Sequence, residues 1–237
     1  MSSSEPTPEE IARFRDVQRL AYRCAAAIER ELRVGMTERV VARMMRRWLA
    51  DHGVTEYFHV PFVWFGDRTA FAGDWNVLKF APTSRRLEPG MPVILDVAPS
   101  VDGYTADIGY GCCVGENAVW SKLQNDLRAH RELILELVKR RKTAREIYLA
   151  VDALAARHGY VNRHRAYPGR VLAHRMFRMP DTKLRRVRLG GFGLPALRGL
   201  RGDMNATRFG GRPEKWPFWN DGRRSDVPVT PGLWAVE

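Results

Sequence analysis

Only three of the 237 residues are cysteine: Cys24 and the adjacent pair Cys112 and Cys113. Three thiols with no CxxC spacing exclude a disulfide framework and the usual structural zinc motifs, and they read as reduced thiols of a cytoplasmic protein. Long apolar runs are missing too, so no stretch reaches transmembrane length and no membrane partner is expected. The first ten residues, Met1 to Glu10, are polar and partly acidic, lacking the basic and apolar regions of a secretory signal. Acidic residues are scarce as well, 27 Asp and Glu against 39 Lys and Arg, for a formal charge of +12. That imbalance is compatible with an acidic partner such as nucleic acid, and equally with an arginine-rich solvated surface.

What is present organises itself clearly. Thr7-Pro8-Glu9-Glu10 combines an N-cap threonine, a proline at the first helical position and a glutamate at the third. The helix it opens carries Ile11, Phe14, Val17, Leu20, Ala21 and Cys24 at helical spacing and runs to about Leu32. Thr37 caps a second helix from about Glu38 to His52, which Gly53 stops. From Thr55 to Val114 short apolar runs alternate with Gly, Asp and Pro, a strand pattern. Two further helices span Ala118 to Lys139 and Thr143 to His158. Arg163 to Arg224 holds sixteen basic residues against four acidic ones with many glycines, and reads as a long, partly disordered surface insertion, about 178–226 at its core. Leu87-Glu88-Pro89-Gly90-Met91 and Val229-Thr230-Pro231-Gly232-Leu233 are both Pro-Gly turns feeding an apolar strand that ends in a carboxylate, a hint of two related halves.

Asp96 and Asp107 flank the turn Ser100-Val101-Asp102-Gly103 in a single hairpin. A four-residue loop sets the two aspartates opposite one another; a two-residue loop at Asp102-Gly103 leaves them diagonal on one face. Either way two like charges meet in an apolar hairpin, which destabilises a sheet unless a proton, an arginine or, best, a divalent metal neutralises them. His59, His130 and His164 carry no readable signal, and His52 and His158 suit helix C-termini.

Leu-Glu-Pro-Gly-Met-Pro-Val-Ile-Leu-Asp-Val-Ala-Pro followed by Asp-Gly-Tyr-Thr-Ala-Asp-Ile and Val-Gly resembles the core of the pita-bread metallopeptidase superfamily: methionine aminopeptidases, Xaa-Pro aminopeptidases and creatinase. The resemblance covers most of Pro8 to Tyr160, resumes near His174 and returns at Pro231 to Glu237. It implies an α/β (α+β) fold, one pita-bread domain over 1–237 with a curved, mainly antiparallel sheet and helices on its outer face. It also implies a site for one or two divalent ions (Mn, Co, Fe or Zn), with Asp96, Asp107, His174 and Glu237 as the matching ligands. Two ions about 3.5–4 Å apart would share carboxylates and a hydroxide that attacks a peptide carbonyl.

The sequence departs from that pattern in four places. His174 lacks the flanking glycines. A further strand with a bridging Glu would follow Glu237 in the family. Lys79 stands where the family has a substrate-facing histidine, and is taken as the substrate-binding candidate. A second histidine expected near Asp181 or Thr182 is absent. The expectation is a metal-dependent aminopeptidase-like hydrolase of peptides, Met or Xaa-Pro type. The alternatives are a non-catalytic module binding nucleic acid, ribosome or protein through the insertion, and a C–N hydrolase of a small creatine-like substrate. A homodimer fits any of them.

Overall fold

The computed structural model describes residues 6–71, 77–163 and 170–236, without the side chains of Val77 and Leu78. The first two helices form where their caps predict. In α1 (Pro8–Glu31) the Thr7 and Glu10 side chains each accept from the other's backbone N–H, at 3.2 and 3.0 Å. In α2 (Glu38–Asp51) the Thr37 hydroxyl accepts from Val40 N at 3.3 Å. Phe14, Val17, Ala21, Cys24 and Ile28 of α1 join Val41, Met45 and Leu49 of α2 in one apolar stripe.

That stripe lies on one face of an antiparallel sheet built from β1 (Glu56–Phe65), β2 (Pro92–Val101), β3 (Tyr104–Thr105) and β4 (Ile108–Cys113). The β2 alternation sorts its residues between the faces. Val93, Leu95 and Val97 are fully buried against the helices, so Ile94, Asp96 and Ala98 point the other way. The helices cover one side of the sheet, and Asp96 lies on the other.

The hairpin register settles the aspartate geometry. Val101 pairs with Tyr104 and Ser100 with Thr105, so the loop is Asp102-Gly103 alone, both residues left-handed at φ 52° and 82°. Asp96 then pairs with Gly109 and Val97 with Ile108. The two aspartates share a face diagonally, and the directly opposed arrangement given by a four-residue loop does not occur.

After β4 the chain forms α3 (Ala118–Lys139) and α4 (Ala144–Arg157), the latter opened by a Thr143/Glu146 capping box. Ile147, Tyr148 and Val151 of α4 pack on Leu172, Ala173 and Trp219, beneath a small sheet of order β8-β5-β9: β5 is Ala173–Met176, β8 Phe218–Trp219 and β9 Leu233–Val236.

The described part of the basic segment holds regular structure that its composition does not suggest. It contains β6 (Arg188–Leu189), β7 (Phe192–Gly193) and the sixteen-residue helix α5 (Leu194–Phe209). The β6–β7 hairpin adds to the main sheet at the free edge of β1, with His59 opposite Phe192. Pro195 in the first turn starts α5, and Gly199 lets the Phe177 ring lie directly on its backbone.

A carboxylate and imidazole cluster as candidate metal centre

His59 reaches Asp107 because β1 is irregular and β2 has a small residue at the right place. β1 shifts register between Tyr57 and His59, and again between His59 and Phe62. These bulges re-aim the side chains between them. His59 consequently lies opposite Ala98, on the Asp96 face. Continuing the β2 register places Asp107 opposite Ala98 from the other side. His59 and Asp107 are thus two strand spacings apart, about 9.5 Å between backbones, and only the methyl of Ala98 lies between them. The imidazole crosses over it.

His59 Nε2 sits 3.2 Å from Asp107 Oδ1 and 3.3 Å from Asp96 Oδ1. His174, on β5 of the second sheet, brings its Nε2 to 3.2 Å from Asp107 Oδ2. Asp107 is therefore shared, one oxygen toward each imidazole. All four side chains are largely buried, at 5 % relative exposure for His59 and Asp107, 11 % for His174 and 14 % for Asp96. Phe62 stacks on the His59 ring at 4.9 Å between centroids, Phe58 stacks on His174 at 5.3 Å, and Phe192 meets His59 edge-on at 5.5 Å. The basic insertion thus supplies one wall of the site.

The other ring nitrogens fix the tautomers. A backbone carbonyl only accepts, so His59 Nδ1 donates to Val60 O at 2.8 Å and His174 Nδ1 to Arg175 O at 3.4 Å. In the neutral rings both Nε2 atoms then carry lone pairs, aimed at carboxylate oxygens that are themselves acceptors. Such contacts need a cation among them, either a proton or a metal. With protons, burial lowers the His59 pKa, yet Asp96 and Asp107 outweigh it and hold it well above the usual histidine range. Burial likewise raises the Asp107 pKa, but the facing His59 and the hydrogen bonds from His174 and His59 hold it well below the usual carboxylate range. With a metal, the donor set is suitable: oxygen and imidazole nitrogen, each imidazole braced from behind by a carbonyl. His59, Asp96 and Asp107 each offer a ligand atom, all within 4.8 Å of one another.

The sequence-derived candidates divide. Asp96, Asp107 and His174 come together. Glu237 lies outside the described residues; its neighbour Val236 pairs with Ala173, next to His174. Lys79 sits exposed on a 3-10 turn, Val77–Phe80, and not on a strand; its carbonyl accepts from Arg68 at 2.9 Å, and the adjacent Phe80 packs against Phe62. His59 joins the cluster, although its sequence context does not single it out. Its flanking sequence, Tyr57-Phe58-His59-Val60-Pro61-Phe62, reads only as an apolar run with one polar residue, and the signal that distinguishes it is a pair of bulges.

The chain is similar to proteins already known. The family model described as Metallopeptidase family M24 matches residues 12–179. Among solved structures, the X-Pro aminopeptidase from Thermotoga maritima superposes with a TM-score of 0.54 at 17% identity, over 73% of this chain and 46% of that one. The prolidase from Pyrococcus furiosus gives 0.53 at 23% identity, over 73% and 48%. The dipeptidase PepE from Mycobacterium ulcerans gives 0.57 at 18%, over 73% and 44%. At these identities the likeness is one of fold, and the chain spans about half the length of the structures it matches. No curated protein matches it. With more than half of its residues under the family model and its fold shared with those structures, the chain belongs to Metallopeptidase family M24 and has the pita-bread fold.

Proposed function

We propose that this protein is a metal-dependent aminopeptidase-like hydrolase that removes the N-terminal residue of a peptide, of Met or Xaa-Pro type. The observation that supports the reading is the buried meeting of two carboxylates with two imidazole lone pairs. A divalent ion bound there would polarise a peptide carbonyl and lower the pKa of a water. Asp96, Asp107 and His174 would hold it, with Glu237 as a further ligand. The free amine of a substrate's N-terminus would bind near these carboxylates, on the side of Asp96, the more exposed of the two. Phe62 and Phe192 would exclude water from one flank, and Lys79 would meet the substrate from the turn that carries Phe80. The test is a set of peptides with free and acetylated N-termini, incubated with the protein and Zn, Mn or Co and read by mass spectrometry. Single-residue loss from the free peptides alone, absent in Asp107→Asn, is expected. Equal cleavage of acetylated peptides, or no cleavage with any of the ions, contradicts the reading.

A second reading is favoured by α5. Arg198, Arg201, Asn205 and Arg208 follow one another at three- and four-residue spacing on its exposed side, a stripe about 15 Å long. Phe209 ends it, 83% exposed, and Arg212 follows. The one carboxylate of α5, Asp203, is partly buried. Guanidinium groups beside an open aromatic ring suit single-stranded RNA. Salt-dependent RNA binding lost in the triple variant Arg198→Ser, Arg201→Ser, Arg208→Ser supports it; equal binding by that variant refutes it.

A further inference from the structure

We propose that His59 is itself a metal ligand, through Nε2, so that the Asp96 side of the centre is a His59–Asp96–Asp107 site while His174 serves the other side of Asp107. This rests on the metal-dependent reading above and goes beyond the ligands expected from the sequence.

Three observations carry it. The first is spacing. The contacts here are 3.2 and 3.3 Å. Two atoms that each sit about 2.0–2.2 Å from a shared ion are separated by about 3.0–3.5 Å, from octahedral to tetrahedral angles. The second is the tautomer. Val60 O takes the Nδ1 proton at 2.8 Å, the backing that metal-bound histidines have, and the neutral ring presents only a lone pair to the carboxylates. The third is rigidity. The ring is held by Phe62 on one face and Phe192 at its edge, on a strand bulged on both sides of it, so Nε2 is positioned before anything binds.

The chemistry that follows is specific. A pair of carboxylates alone suits magnesium or manganese, whereas an added imidazole shifts preference to zinc, cobalt or iron. His59 on one side of Asp107 and His174 on the other put one nitrogen on each flank of the shared carboxylate.

The competing arrangement is a proton clamp, in which protonated His59 neutralises both aspartates and keeps metal out. The two make opposite predictions for His59→Ala. Zinc and manganese binding would be measured by calorimetry on the full chain, with and without added free imidazole. The expected result is zinc affinity weakened by about 100-fold or more, manganese weakened less, and partial recovery with imidazole filling the space left by the ring. Unchanged or tighter zinc binding by His59→Ala overturns the proposal and leaves the hydrolase reading standing. No ion binding by the unaltered protein overturns both. Should His59→Ala fail to fold, His59→Phe, which preserves the stack on Phe62, decides by the visible spectrum of its cobalt form set against that of the unaltered protein. Cobalt bands that His59→Phe leaves unchanged overturn the proposal; bands that weaken in His59→Phe or shift toward those of a nitrogen-poor, six-coordinate ion support it, since His174 is present in both proteins.

Discussion

Glu38 is fully buried at the first turn of α2, and its removal gives the most exacting test of how the site is held. Its Oε1 accepts from Phe65 N and Arg68 Nε, both at 2.9 Å, and its Oε2 from Thr83 N at 2.8 Å and Thr83 Oγ1 at 2.7 Å. One side chain thereby ties α2 to the end of β1 and to the segment leading into β2. Between those anchors lie Trp64 and Phe80, linked by a hydrogen bond from the indole to Phe80 O at 3.1 Å, and both pack near Phe62, the ring beneath His59. Glu38→Ala strands two backbone N–H groups and leaves the Arg68 guanidinium without its carboxylate. Breaking a buried pair costs about 3–5 kcal/mol. For a chain of this size each kcal/mol moves the melting temperature by about 2–4 °C, so a fall of about 6–20 °C is expected. Glu38→Gln keeps the shape and one acceptor but turns an amide N–H₂ toward donors, for about half the loss. The assay is thermal unfolding by circular dichroism. Because Arg68 also donates to Lys79 O and Ala81 O, Glu38→Ala combined with Arg68→Ala should cost less than the sum of the two single changes. A drop below 2 °C for Glu38→Ala, or strict additivity, would refute the reasoning.

Other predictions concern the site and its surroundings. Ala98→Leu places a branched side chain between His59 and Asp107, and should cost about 1–3 kcal/mol by overpacking while weakening zinc binding; retained affinity would show that the His59–Asp107 meeting is dispensable. In chelated protein the pH dependence has a definite sign. His59, raised in the folded state, contributes fully below the unfolded histidine value of about 6.5 and loses that contribution as pH rises through its folded value. Asp107, depressed, contributes fully above about 3.9 and loses it as pH falls through its folded value. Ion-free protein should therefore melt higher at pH 5.5 than at pH 8.5, and stabilisation by added zinc should grow with pH; the reverse order contradicts the electrostatics. Burial pushes the thiols of Cys24 and Cys112 up to about 12, so at pH 8 a thiol reagent should label Cys113 at most until denaturant exposes all three.

The legibility of this chain varied with how local the determining physics is. Helix starts were readable because a cap is a contact between residues three apart, as at Thr7/Glu10 and Thr143/Glu146. The aspartate pair was readable because Asp102-Gly103 favours a tight turn and strand alternation does the rest, although only the register chose between opposed and diagonal. His174 was readable through family resemblance alone, since it reaches Asp107 from a different sheet. His59 was not readable, because its role depends on two bulges in β1 and on the smallness of Ala98 one strand away. α5 was missed because Gly199, Gly202 and a run of arginines imitate a loop, and the reason a glycine is tolerated at 199 is the Phe177 ring against it.

The account stands or falls on whether the Asp96–Asp107 cluster holds a divalent ion. The direct measurement is the melting temperature of chelator-treated protein with and without zinc at about 100 times its dissociation constant. Binding to the folded state alone then adds about 2.7 kcal/mol, a rise of about 5–11 °C, which Asp107→Asn should abolish. No rise in the unaltered protein, or the same rise in Asp107→Asn, would contradict it.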